Sequence, residues 1–235
     1  MKVFVLGHKG MLGHMVVKFL QSNSINVITT DDRWPLIKKH IWGFDGDYII
    51  NCIGAIPQKT KNFSINYEIP IFLDLHSPCK IIHPGTDSEK EDRYGISKKI
   101  AANYIYNLGK QTKVIKTSII GPELKYKTNL LEWFLDQEGK VTGYTKSIWN
   151  GNTTLEWAKQ CLFLMENWET QDIFSILENE SISKYDLLNV IKEVFNKKIK
   201  IIPKEIGENR YLVGNIKTDN IKTQLLELKN FYYGN

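Results

Sequence analysis

Tyr94 and Lys98 stand four residues apart in the segment YGISK, at the start of a stretch that reads as a helix from Tyr94 to Leu108, stopped by Gly109. That spacing sets both side chains on one helical face. A phenol whose ordinary pKa is about 10 exchanges protons poorly at neutral pH, and a nearby cation that favours the phenolate removes the handicap. The pair is therefore suited to passing a proton to or from an alcohol or carbonyl oxygen, with Lys98 also able to hold a ribose. A second pair of the same spacing, Tyr106 and Lys110, is a decoy, because Lys110 falls beyond the stop at Gly109.

A second chemical feature lies at the start of the chain. Gly7, Gly10 and Gly13 in GHKGMLG follow the apolar run KVFVL and precede Met11, Leu12, Met15, Val16, Phe19 and Leu20 at helical spacing. Glycines between a strand and a helix permit a tight turn, and they let backbone approach a pyrophosphate at the helix N-terminus. Asp31 and Asp32 come after the next strand-like run, INVITT. A carboxylate there accepts hydrogen bonds from the adenosine ribose and repels a 2′-phosphate, which favours NAD(H). Arg33 could turn to receive that phosphate, so NADP(H) stays open as well.

These features need a scaffold, and the pattern supplies one. DYIINCIGA, KIIHPG and KVIKTSIIGP (113–122) read as further strands, Asn66 to Leu75 as a helix, and Trp34-Pro35 as the start of an irregular or helical link. Strands alternating with helices imply parallel neighbours joined by crossovers. The expected fold class is α/β, a Rossmann-like doubly wound parallel sheet with a small C-terminal substrate lobe. The expected division is 1–122 for the dinucleotide-binding part and 123–235 for the lobe, with segments at about 150–175 packing back on the sheet. In the lobe, Leu130 to Leu135, Thr154 to Leu164 and Ser183 to Phe195 read as helices, the last with serine at its cap, and KIKII with Pro203 as a strand. The aromatic residues from Trp133 to Trp168 read as core. Trp149 and Asn150 beside Gly151 read as a turn, one able to contact a sugar or diphosphate if it faces the cleft.

Composition narrows the function classes. Apolar residues make up 42% and charged residues 24%, the balance of a folding globular chain. The net charge of +5 is spread among acids along the chain, which argues against nucleic acid as a partner. Cys52, Cys79 and Cys161 form no CxxC pair, and the five histidines have no metal-ligand spacing, so no disulfide framework and no metal are expected. Ser118 lacks a nucleophile-elbow pattern. With no export signal and no long apolar stretch, the expected location is the cytoplasm, without a membrane partner.

Together these residues resemble the extended short-chain dehydrogenase/reductases, most closely the branch similar to dTDP-4-dehydrorhamnose reductase. GHKGMLG resembles the family's glycine turn, NCIGA its Asn-x-x-Gly/Ala strand end, SINYEIP the helix bringing Asn66 below the active site, and YGISK its Tyr-x-x-x-Lys signature. The resemblance implies a cofactor site of Gly7, Gly10, Met11, Leu12, Gly13, Asp31, Asp32, Arg33, Cys52, Ile53, Gly54, Tyr94, Lys98 and Thr117. PGTD resembles the family's Ser-Thr-Asp segment and makes Thr86 the hydroxyl that binds the substrate carbonyl. Only seven residues separate Thr86 from Tyr94, so Ser88 is the alternative hydroxyl. LLEWFL, WNGNTTLEWA and ISKYDLL are similar to the substrate-side half of sugar-nucleotide enzymes, which implies substrate contacts at Asn129, Trp149 and Asn150.

The implied activity is NAD(P)H-dependent reduction of the 4-keto group of a nucleotide-linked 6-deoxyhexose. A nucleotide-sugar epimerase or dehydratase, and a non-catalytic dinucleotide-binding regulatory subunit, are the alternatives. A homodimer is an open assembly. The nucleotide base and the sugar are not set by these residues.

Overall fold

The computed structural model describes residues 1–88 and 92–234. It divides into two compact units, Met1–Lys116 with Ala158–Ser175, and Thr117–Trp157 with Ile176–Asn235. The division falls after Lys116, ahead of the Pro122 boundary expected from the sequence, and residues 158–175 belong to the first unit.

The first unit begins with β1 (Lys2–Leu6), α1 (Met11–Ser22), β2 (Asn26–Thr29), α2 (Lys38–Trp42) and β3 (Tyr48–Asn51). It continues with α3 (Ile65–His76), β4 (Lys80–Pro84), α4 (Arg93–Leu108) and β5 (Thr112–Lys116). Val3, Val5, Ile49, Ile50, Ile81 and Ile82 are wholly buried, as befits strands covered on both faces. β1 pairs in parallel with β2 and β3, β3 with β4, and β4 with β5. These pairings bring the C-terminal ends of the strands, and the loops that follow them, to one edge, where ligands of such sheets bind.

The run 113–122, expected as one strand, is broken. β5 ends at Lys116, and β6 (Ile119–Ile120) belongs to the second unit, where it pairs in parallel with β9 (Asn152–Thr153). Thr117 and Ser118 interrupt the ladder: the Thr117 hydroxyl donates to the Ser118 carbonyl at 3.1 Å, and the Ser118 carbonyl accepts the Asn152 N–H at 2.9 Å.

The second unit adds α5 (Leu130–Asp136), β7 (Lys140–Tyr144) and β8 (Ile148–Trp149), and α6 (Thr154–Glu166) runs from it into residues of the first. β10 (Phe174–Glu178) begins in the first unit, where the Val114 N–H donates to the Ile173 carbonyl at 2.8 Å. It ends in the second, paired in parallel with β13 (Ile216–Lys217). The seven-stranded order is β13-β10-β5-β4-β3-β1-β2. β11 (Ile182–Ser183), α7 (Lys184–Val194), β12 (Lys200–Lys204) and α8 (Ile221–Tyr233) complete the chain. Ser183 caps α7 by accepting the Asp186 N–H at 3.0 Å. Among the aromatics expected in the core, Phe134, Trp149 and Trp157 are buried, whereas Tyr144 and Phe163 are exposed.

No helix among the described residues is long and apolar enough to cross a membrane.

Candidate active site

The glycine turn is built by one residue that must be glycine and one that must have no side chain. Gly7 adopts φ +79°, a left-handed conformation that favours glycine. A Cβ on Gly13 would lie 2.2 Å from the Gly7 carbonyl oxygen, so α1 packs directly onto the turn. Gly10 differs: it is exposed, its φ is −81°, and a Cβ there would meet only the Gly7 oxygen at 3.3 Å. Gly10 N-caps α1 with no side-chain cap, leaving the first helical N–H groups for an anion. Met11 is half-buried and Leu12 buried.

Beyond β2, Asp31 lies 2.5 Å from Lys9 and 3.3 Å from His8, both residues of the glycine turn. The Lys9 hydrogen bond holds the Asp31 carboxyl below its usual range. Asp32 bonds Lys39 at 2.9 Å and His40 at 2.7 Å, with the same effect. Arg33 is exposed. The cluster after β2 is therefore mixed, with lysines already engaging both acids. Sequence reading missed Lys9 and His8, because only the parallel β1–β2 pairing brings them to Asp31.

The end of β3 and the start of α4 are joined by buried amides and hydroxyls. Asn66 accepts the Ala55 N–H at 2.8 Å and donates to the Ala55 carbonyl and the Ser97 hydroxyl, each at 3.0 Å. Ser97 in turn donates to the Tyr94 carbonyl at 2.6 Å. Asp92 caps the helix by accepting the Gly95 N–H at 2.7 Å, and the Tyr94 ring meets Phe63 edge-on at 5.7 Å. Cys52 and Ile53 are half-buried, and packing pushes the Cys52 thiol pKa upward. Gly54 is exposed, and a Cβ on it would come within 3.7 Å of the Lys98 ammonium.

Lys98 is 9% exposed, and burial lowers its pKa to about 8. Its ammonium makes no hydrogen bond or ion pair among the described residues, and burying an unpaired cation is costly. This cost gives a prediction. With a folded pKa of about 8 against 10.5, the folded chain binds fewer protons than the unfolded one between those values, so stability rises with pH there. Lys98→Met should accordingly stabilise the ligand-free protein by about 1–3 kcal/mol at pH 7. The gain should shrink as pH climbs through that window, as read by urea titration at several pH values.

Thr86 is buried just past β4, and its hydroxyl accepts the Ser88 N–H at 3.2 Å and lies 3.4 Å from an Asp87 carboxylate oxygen. Ser88 is also buried. Residues 89–91, within the short Thr86 to Tyr94 stretch, lie outside the described residues. The decoy pair is elsewhere: Tyr106 is 70% exposed, and the Lys110 N–H donates to Asp74 at 3.1 Å.

The remaining expected residues belong to the second unit. Thr117 accepts the Asn152 amide at 2.8 Å. Asn129 N-caps α5 without a side-chain bond, its N–H donating to Glu123 at 2.6 Å. Trp149 is buried beneath Lys184 at 4.9 Å. Asn150 clamps the Leu212 backbone through both ends of its amide, at 2.8 and 2.9 Å. The indole and this amide thus make contacts within the second unit. Among the described residues, no group of three or more His, Cys, Asp or Glu is arranged to hold a metal ion.

No known family model matches this sequence, and no curated protein does. Solved structures do. A dTDP-4-dehydrorhamnose reductase from Clostridium acetobutylicum superposes with a TM-score of 0.77 at 16% identity, over 99% of this chain and 100% of that one. The enzyme of the same name from Bacillus anthracis, in complex with NADP, gives 0.80 at 14% identity, over 99% and 98%. A UDP-glucose 4-epimerase from Thermotoga maritima, with UDP-glucose, gives 0.75 at 14% identity, over 99% of each chain. The chain shares the fold of these enzymes along its whole length.

Proposed function

We propose that the protein reduces a keto group, at C4, of a nucleotide-linked 6-deoxyhexose, using NADH or NADPH. The observation that carries this reading is Lys98: a buried ammonium, unpaired among the described residues, one helical turn after Tyr94. A cation held at such cost needs a partner that a ligand brings. The residues present fit a dinucleotide: Gly10 is exposed at the glycine turn, and the α1 N-terminus has no side-chain cap.

A bound nicotinamide dinucleotide supplies the hydride. The chain supplies the rest. Tyr94 gives its phenolic proton to the oxygen that becomes the alcohol, and Lys98 stabilises the phenolate left behind. Thr86 donates a hydrogen bond to the same oxygen as charge develops on it. Asn66 and Ser97 keep the first turn of α4 against the β3 loop, which holds Tyr94 in place. Asn129, Trp149 and Asn150 are the proposed substrate contacts, and Thr117 is a proposed cofactor contact.

Thr86→Val should lower turnover by about ten- to a thousandfold with a smaller change in cofactor affinity. A larger loss in Ser88→Ala than in Thr86→Val would move the role to Ser88. The two hydroxyls are separated by steady-state kinetics of both variants.

The whole-protein test is a panel of dTDP-, UDP- and GDP-linked 4-keto-6-deoxyhexoses with NADH or NADPH and NMR of the products. Stoichiometric NAD(P)H oxidation with one member supports the reductase. The fold likeness to a UDP-glucose 4-epimerase supports a second reading, in which the cofactor stays bound and returns to its starting state each turnover. Product without net NAD(P)H consumption would favour it. A stoichiometric copurifying partner with no turnover would favour a regulatory subunit.

A further inference from the structure

His83 lies in β4 next to Asn51 at the end of β3, and it is 3% exposed. It lines a small cavity together with Thr86, Lys98 and Val114, a space of about one water molecule. Its tautomer follows from its partner. Asn51 accepts the Ile53 N–H on Oδ1 at 3.1 Å, which sets the orientation of the amide and turns Nδ2 toward His83 Nδ1 at 3.1 Å. An amide nitrogen only donates, so Nδ1 accepts and the ring proton resides on Nε2. Burial, and after it the charge of Lys98, hold the imidazole pKa well below its ordinary value, so the ring is neutral.

Nε2, the ring nitrogen that Asn51 does not engage, is then a donor. The opposite tautomer would offer the Lys98 ammonium a lone pair and draw it toward the sheet. In this tautomer the imidazole offers the lysine no lone pair, in keeping with the absence of any Lys98 hydrogen bond or ion pair among the described residues.

We propose that His83 is a positioning residue for Lys98: Asn51 holds it as the Nε2–H tautomer, so a donor faces the ammonium and leaves it available to Tyr94 and a dinucleotide ribose. What Lys98 does with that freedom rests on the reductase reading. The tautomer does not.

The test has two arms, both on the full chain. In the first, NMR of the protein labelled with 13C,15N-histidine should show His83 protonated on Nε2 and not titrating near its ordinary pKa of about 6.5. An Nδ1–H ring, or an ordinary titration, would overturn the proposal. In the second, His83→Gln keeps an acceptor for Asn51 and a donor for Lys98, and it should stay within about threefold of wild-type kcat. His83→Glu places a carboxylate opposite Lys98, which should lower kcat by about thirtyfold or more and move the alkaline limb of the pH profile upward. Equal kcat and equal pH profiles in the two variants would overturn the proposal, and if His83→Glu does not fold, the NMR arm still decides. Failure of the wild-type chain to bind NADH or NADPH would instead remove the role given to Lys98, whatever the tautomer.

Discussion

Tyr94→Phe should lose about a hundred- to ten-thousandfold in kcat while its affinity for NADH or NADPH stays within about threefold. The substitution removes one oxygen and leaves the ring against Phe63, at 5.7 Å. The backbone of Tyr94 is held independently of its side chain, by Ser97 on its carbonyl and by the Asp92 cap on Gly95. The loss is therefore expected in the chemical step, and an unchanged thermal melt of the variant checks that the packing is kept. Tyr106→Phe should match wild type, because its ring is exposed and its companion Lys110 lies past the end of α4 at Leu108. Steady-state kinetics with calorimetry on both variants checks the assignment. Equal losses, or a loss in Tyr106→Phe alone, would assign the chemistry to the wrong pair.

The second large effect is expected at the glycine turn. Gly10→Val should reduce dinucleotide affinity by about a hundredfold or more and leave thermal stability nearly intact. Gly10 has an ordinary φ of −81°, and its Cβ would meet only the Gly7 carbonyl oxygen, at 3.3 Å, so a small shift of the turn admits a side chain that then occupies the proposed pyrophosphate approach. Gly13→Val is the contrast: its Cβ would lie 2.2 Å from the Gly7 carbonyl, and it should unfold the β1–α1 junction. Calorimetric titration and thermal melts of the two variants separate blocked binding from broken packing. Unchanged NAD(H) and NADP(H) affinity in a folded Gly10→Val protein would remove the turn from the cofactor site.

The first unit was legible because its signals are long and agree with one another. KVFVL, the β3 run and KIIHP each carry a short apolar run, and α1 and α4 carry clear starts and stops. The second unit was less so. β8, β9, β11 and β13 are two residues each, too short for any period to show. Helix α8 hides its inner face, because Gln224 sits buried among its apolar positions, satisfied by the Thr153 N–H at 2.9 Å and the Asn152 amide oxygen at 2.8 Å. In the candidate site, Tyr94, Lys98 and the glycines could be read from local spacing. The Lys9–Asp31 and Asn51–His83 contacts could not, since each joins residues of neighbouring parallel strands or the loops that follow them, and each depends on register.

The most direct measurement of the central claim is the fate of the hydride. With NADH or NADPH carrying deuterium at both positions of nicotinamide C4 and the accepted keto sugar from the panel, the reductase places one deuterium on the sugar's carbinol carbon for each cofactor oxidised, as read by NMR of the product. A product free of deuterium, or a sugar that changes configuration while the cofactor pool stays reduced, would contradict it.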